Sequence, residues 1–151
     1  MNIPAYKNNY EAALPAKRQF LSGEEVREII DLSVLESFRE FQQPGEPDLV
    51  GKLIDLFITS TTERIMVIRQ AITDGDTAVI KREAHNAKGG AGNIGAHRMA
   101  AYCKELEQKA SQPDEAAVTT ARMEIEFNEV IQVLNLVKQP ENDLSAHNQP
   151  L

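Results

Sequence analysis

Cysteine is almost missing from this chain of 151 residues: Cys103 is the only one. A lone thiol closes no internal disulfide and builds no multi-cysteine zinc site, and it suits a reducing compartment. Tryptophan is absent and aromatic residues make up only 5%. With hydrophobic residues at 42%, a core has to be filled by Leu, Ile, Val and Ala, which favours packed helices. Basic residues are too few to balance the acids, leaving a formal net charge of −7. Neither a nucleic-acid backbone nor an anionic membrane surface suits such a protein. No apolar run reaches the roughly 18 residues of a membrane span. The N-terminal stretch MNIPAYKNNYEAALPAKRQF also lacks the continuous apolar core of a signal peptide. The expectation is one cytoplasmic domain, monomeric, with no membrane and no nucleic-acid partner.

What is present is helical periodicity. Residues 1–28 are expected to form an arm, partly disordered or carrying a short helix, since Pro4 and Pro15 interrupt it. Ser22 with Glu25 has the spacing of a capping box, and Ser33 with Glu36 repeats it before VLESFREF. QQPGEP reads as a loop. From Asp48 to Thr73 the apolar residues Leu49, Leu53, Leu56, Phe57, Ile65, Ile68 and Ile72 recur at helical spacing. That helix is roughly 40 Å long at ~1.5 Å per residue. Asp74-Gly75 breaks it, and so short a connection forces the next helix to run antiparallel. Asp76 can cap this second long helix, which ends near Asn93-Ile94-Gly95, Gly95 supplying a left-handed stop. A third is expected from about Ala96 to Ser111, with Met99, Tyr102, Cys103, Leu106 and Ala110 on one face. A fourth spans about Asp114 to Val137, with Val118, Met123, Ile125, Val130, Val133, Leu134 and Val137 as its apolar residues. Pro140 ends it, and 139–151 form a flexible tail. No strand-like alternation appears. The fold class is therefore all-α: an up-down-up-down antiparallel four-helix bundle with one or two short N-terminal helices, its domain spanning 29–138.

The second long helix contains Gly89, Gly90 and Gly92. Each costs roughly 0.5–1 kcal/mol in a helix interior relative to Ala. Frayed ends or close packing could account for them, but the residues around them suggest more. At about 100° per residue, Lys88 and Gly89 flank His85 and Gly92 falls nearly below it. Lys81 and Arg82 lie on the same side one turn earlier. A histidine then stands on a shaved helix surface with cations nearby. Neutral imidazole is nucleophilic near neutral pH, and phosphoryl transfer mainly requires positioning and neutralisation of the moving oxygens. His85 can attack, Lys88 can hold oxygens and the glycines can leave room.

AHNAKGGAGNIGA (84–96) resembles the signature of histidine-containing phosphotransfer (HPt) domains of two-component phosphorelays, roughly A-H-x-x-K-G-x-x-x-x-x-G. His85, Lys88, Gly89 and Gly95 fall on its fixed positions, and Asn93-Ile94 suits the polar–apolar pair before the last glycine. IDLSVLESF (30–38), LIDLFITSTTERIMVIRQAITDGD (53–76) and AYCKELEQKA (101–110) resemble the flanking segments of the family, so that the likeness covers about residues 29–137. The resemblance implies that His85 is the phosphoacceptor, that Lys88 stabilises the phosphate and that Gly89 allows close approach; the helical wheel adds Gly92, Lys81 and Arg82 to the expected docking face. It implies response-regulator receiver domains and a hybrid sensor histidine kinase as partners, with Mg²⁺ supplied by the receiver and no cofactor of the chain's own. The role is that of a phosphotransfer intermediate, without an ATP-binding or kinase motif. Asn86 and Gly90 stand where the family often has Thr and Ser.

Other patterns compete less well. Gly90 to Gly95 spells G-x-G-x-x-G, but a charged helix precedes it where a dinucleotide site needs a strand. Lys88 precedes the glycines, which excludes a P-loop. No histidine has Glu three residues before it, as a bundle metal site would want. His97 is expected to be solvated, His147 inert in the tail and Cys103 a buried structural thiol. A kinase dimerisation helix would want an acid after His85 in place of Asn86. Two rivals share the fold: a chemotaxis-kinase-like phosphotransfer domain phosphorylated in trans, and a module that binds receivers without relaying phosphate.

Overall fold

A computed structural model describes residues 22–138; the arm before Ser22 and the tail beyond Lys138, with Pro140 and His147, lie outside the described residues. Six helices and no strand are present among them: α1 (Gly23–Ile29), α2 (Leu32–Glu40), α3 (Leu49–Asp74), α4 (Thr77–Asn93), α5 (His97–Gln108) and α6 (Pro113–Lys138). Helices α3 to α6 form the four-helix bundle, each packed on its sequence neighbour and α6 closing back on α3. Facing residues confirm the antiparallel sense. Arg64 and Phe57 of α3 meet Glu83 and Gly90 of α4, while Asp55 and Arg69 of α3 pair with Lys138 and Glu124 of α6.

The helix boundaries follow from local chemistry. Ser22 and Glu25 form the expected reciprocal capping box on α1. At α2 the expectation is corrected. Asp31, not Ser33, is the cap, and its carboxylate accepts from the backbone N–H of Ser33. An ionised carboxylate is the stronger acceptor for an orphan N–H. Asp48 and Asp76 cap α3 and α4. Helix α5 ends at Gln108, short of Ser111, because the backbone leaves helical geometry at Lys109 (φ −100°, ψ 10°). Pro113 opens α6, in the first turn, where its missing N–H leaves no intrahelical bond unmade.

The core runs along the bundle axis through Ile54, Ile65, Ile68, Met99, Leu106, Met123, Phe127, Val130 and Leu134, all essentially inaccessible. Phe57 and Phe127 meet edge to face at 5.8 Å and 78°. The inner face of α4 is unusually small, Ala84, Ala87 and Ala91 all being buried. Two expected faces need correction. Leu56 is 65% exposed and Leu49 39%, while Val118 and Ile125 are 53% and 48% exposed. Their helices are apolar over a wider arc than the core occupies. On α6 the inward arc also carries Thr119, Thr120, Glu124, Glu126 and Glu129. The acids are matched by Arg69 and Arg98.

Gly95 takes φ 89° between α4 and α5. A Cβ there would lie 2.6 Å from the carbonyl oxygen of Asp31, and the Gly95 carbonyl accepts the Asp31 N–H at 2.8 Å. Gly75 is also left-handed, at φ 71°, but faces open space. Gly95→Ala should therefore destabilise the fold by about 2–3 kcal/mol and Gly75→Ala by only about 1 kcal/mol. Urea unfolding of the two variants checks this, and equal effects would contradict the crowding at Gly95.

Candidate functional site

Helix α4 carries His85 near its middle, and the chain stays helical through Gly89, Gly90 and Gly92 to Asn93. The imidazole side chain is 64% exposed. It lies on an exposed face of the helix. The interhelical grooves lie elsewhere: one is lined by Arg69, Ile72, Thr120 and Glu124, another by Ser60, Glu63, Arg64, Val67 and Glu83.

The nearest charged partner of His85 comes from the next helix. Glu107 of α5 accepts at both oxygens: Oε1 lies 3.0 Å from His85 Nδ1, and Oε2 lies 2.8 Å from Lys88 Nζ. Lys88 follows His85 by three residues, so both project toward α5 from adjacent turns. The Lys88 ammonium, and secondarily the His85 ring, hold the Glu107 carboxyl below its ordinary value of 4.5. An ionised carboxylate can only accept. Nδ1 must then carry the proton of the neutral ring, and the lone pair resides on Nε2. Nothing in the sequence singled out Glu107, since the helical wheel of α4 contains only residues of α4.

The other expected residues are spread around this trio. Lys81 is exposed and makes no ion pair among the described residues. Arg82 is exposed but engaged, its Nε 3.1 Å from Glu83, which also binds Arg64 at 2.8 Å. A Cβ on Gly89 or on Gly92 would meet no atom within 4 Å, and one on Gly90 would only touch the Phe57 ring at 3.9 Å. Close internal packing therefore does not account for Gly89 and Gly92. Their helix penalty leaves a bare strip of backbone beside His85. Beneath the site, Cys103 is fully buried with its Sγ 3.5 Å from the Met123 sulfur, and burial pushes its thiol up to about 12. His97 is exposed at the start of α5. No three His, Cys, Asp or Glu side chains among the described residues converge to hold a metal ion, and no described helix is long and apolar enough to cross a membrane.

The sequence profile of the Hpt domain matches residues 52–139, more than half of the chain. The chain belongs to the Hpt domain family. Histidine-containing phosphotransfer protein B (HptB) from Pseudomonas aeruginosa is 33% identical to this Hpt chain, with a TM-score of 0.66, over 74% of this chain and 95% of that one. A putative histidine-containing phosphotransfer protein from rice shares the fold, with a TM-score of 0.64 at 16% identity, over 87% of this chain and 92% of its own. No curated protein matches in sequence. Membership places the chain in histidine phosphotransfer within phosphorelays, where Hpt domains meet receiver domains and kinases.

The bridge at Glu107 has a measurable signature. A carboxyl with a lowered folded pKa supplies stability that is complete above its unfolded value and fades as pH falls through the folded one. Its carboxyl carbon should titrate below 4.5 by NMR, and Glu107→Gln should remove that acid-side component of the stability profile. A Glu107 titration at the ordinary value would show that Lys88 does not pair with it in solution.

Proposed function

We propose that His85 is the phosphoacceptor and that the chain takes a phosphoryl group from the phospho-aspartate of a receiver domain, or from a kinase, and passes it to a response-regulator receiver. The observation that carries this is the His85–Glu107–Lys88 arrangement on an open, glycine-bared helix face. With Nδ1 engaged at 3.0 Å by Glu107, the Nε2 lone pair faces solvent. It attacks phosphorus, an N–P bond forms, and the P–O bond to the aspartyl oxygen breaks with its electron pair returning to the carboxylate. Glu107 meanwhile holds the Nδ1 proton, whose positive charge grows as the ring is phosphorylated. Lys88 lies one turn along and supplies a cation to the transferred oxygens. Mg²⁺ at the partner's aspartate would belong to the receiver.

The strip over Gly89 and Gly92 gives a receiver room to bring its aspartate to Nε2. On α3, the neighbour of α4, Leu56 and Val67 are exposed apolar residues at 65% and 42%. They offer the apolar part of a mixed docking face whose cations are Lys81 and Arg82. An intact histidine and lysine, oriented by a shared carboxylate, favour relay over passive receiver binding.

Incubation with a phosphorylated receiver tests this. Acid-labile label should appear on the wild type and be absent from His85→Gln; equal labelling of the variant would defeat the assignment. Lys88→Ala should slow transfer about tenfold with the fold intact, as expected for loss of a hydrogen bond between charged groups. Gly89→Leu separates docking from folding. A side chain there has free space, so helix stability should rise by about 0.5–1 kcal/mol. Calorimetric binding to the receiver should nevertheless be lost, and retained binding would mean that the bare strip is not the approach route.

A further inference from the structure

The cation assigned to the phosphoryl group is already occupied. Lys88 Nζ lies 2.8 Å from Glu107 Oε2, and the other oxygen of that carboxylate holds the ring that would carry the phosphoryl group. Side-chain exposures of 32% for Lys88 and 27% for Glu107 leave both within reach of water and of an incoming group. Arg82 is engaged with Glu83, so it offers a less available substitute. Given His85 as the phosphoacceptor, on which this inference rests, we infer that Glu107 and the phosphoryl group compete for Lys88. Glu107 thereby lowers the equilibrium share of phospho-His85 against a phosphorylated receiver and favours onward transfer.

Glu107 also balances charge on the ring through Nδ1–H, and the inference is that its competition for Lys88 outweighs that contribution. Before transfer, Lys88 neutralises Glu107. Afterwards a dianionic group stands on the ring that the same carboxylate grips, and one ammonium has two anionic claimants. Its attention to the phosphoryl oxygens is incomplete for as long as Glu107 remains ionised. The carboxylate also opposes the dianion as a like charge. In the onward step an aspartyl oxygen of the acceptor attacks phosphorus and the N–P bond breaks. The electron pair returns to Nε2, and Lys88 falls back on Glu107. That return contact is formed only when the group leaves, so it favours release. Glu107→Gln removes the competing charge while its carbonyl oxygen can still accept from Nδ1–H, which separates competition for Lys88 from orientation of the ring.

The experiment equilibrates the chain with a phosphorylated receiver and measures the phosphoryl share on each protein. Circular dichroism melting establishes that the variants are folded. Glu107→Gln is expected to raise the ratio of phospho-His85 to phospho-receiver by about two- to fivefold, the scale of a part-exposed charge interaction. The rise should shrink in high salt. In a Lys88→Ala background the same substitution should produce a smaller rise, because the contested cation is gone and only the like-charge repulsion is relieved. An unchanged or lowered ratio in Glu107→Gln overturns the inference, as does an equal rise with and without Lys88. Either result leaves His85 as phosphoacceptor intact, provided that the wild type is labelled. Absence of label on the wild type instead defeats the phosphoacceptor assignment, and the inference falls with it.

Discussion

Between α4 and α5 the chain reverses over Ile94, Gly95 and Ala96, and Gly95 makes the turn at a positive φ that its neighbour Asp31 leaves no room to decorate. Its carbonyl accepts the Asp31 N–H. One residue thus ends the site helix, starts the helix that supplies Glu107, and fastens the α1–α2 segment to that corner. The register between α4 and α5 depends on this turn. A helix residue added or removed here would rotate Glu107 by about 100° and take it off the line joining His85 and Lys88. The site is built from two helices, and the constraint that joins them lies away from the chemistry.

Charge is used differently on the far side of the bundle. Glu126 and Glu129 of α6 are nearly buried, and one guanidinium, Arg98, binds them at 2.8 and 3.0 Å while reaching Glu28 of α1 at 3.8 Å. Burial pushes the Glu126 carboxyl up and Arg98 opposes the shift. Desolvation of such groups is compensated only when hydrogen bonds and opposite charge are both supplied. Arg69 does the same for Glu124. These pairs fix how α3 and α5 meet α6, whereas the Glu107 bridge is half open to water and its partners can be exchanged. Similar ions are thus locked into packing in one place and left accessible in another, and exposure separates the two.

Much of this was legible in the sequence because it is local. Asp76 caps α4 and Gly95 makes its left-handed stop as expected, and the expected break falls at Asp74-Gly75. The four-helix architecture follows from periodicity and short connections. The cap of α2 was misplaced because Asp31 and Ser33 are both good caps two residues apart, and charge favours Asp31. Leu56, Val118 and Ile125 were read as core-facing because a wheel shows apolarity, not which arc a neighbour covers. At the site, His85, Lys88 and the glycines share one helix and could be seen together. Glu107 is 22 residues from His85 in sequence, and only the interhelical register brings it close. Long-range pairing of this kind leaves no trace in the spacing of either helix.

The burial of Cys103 has a further meaning for how the protein ages in an oxidising setting. Its thiol is sealed behind α4 with its pKa near 12, so almost no thiolate forms to react. Met99 and Met123 are equally inaccessible, but Met66 on α3 is 60% exposed. Among the described residues, then, the sulfur open to peroxide is a thioether on the helix beside His85. Conversion to the sulfoxide would place a polar oxygen among the exposed apolar residues of α3. Among the described residues the chemically vulnerable point is thus an exposed position on α3, and the sulfur atoms of the core are spared.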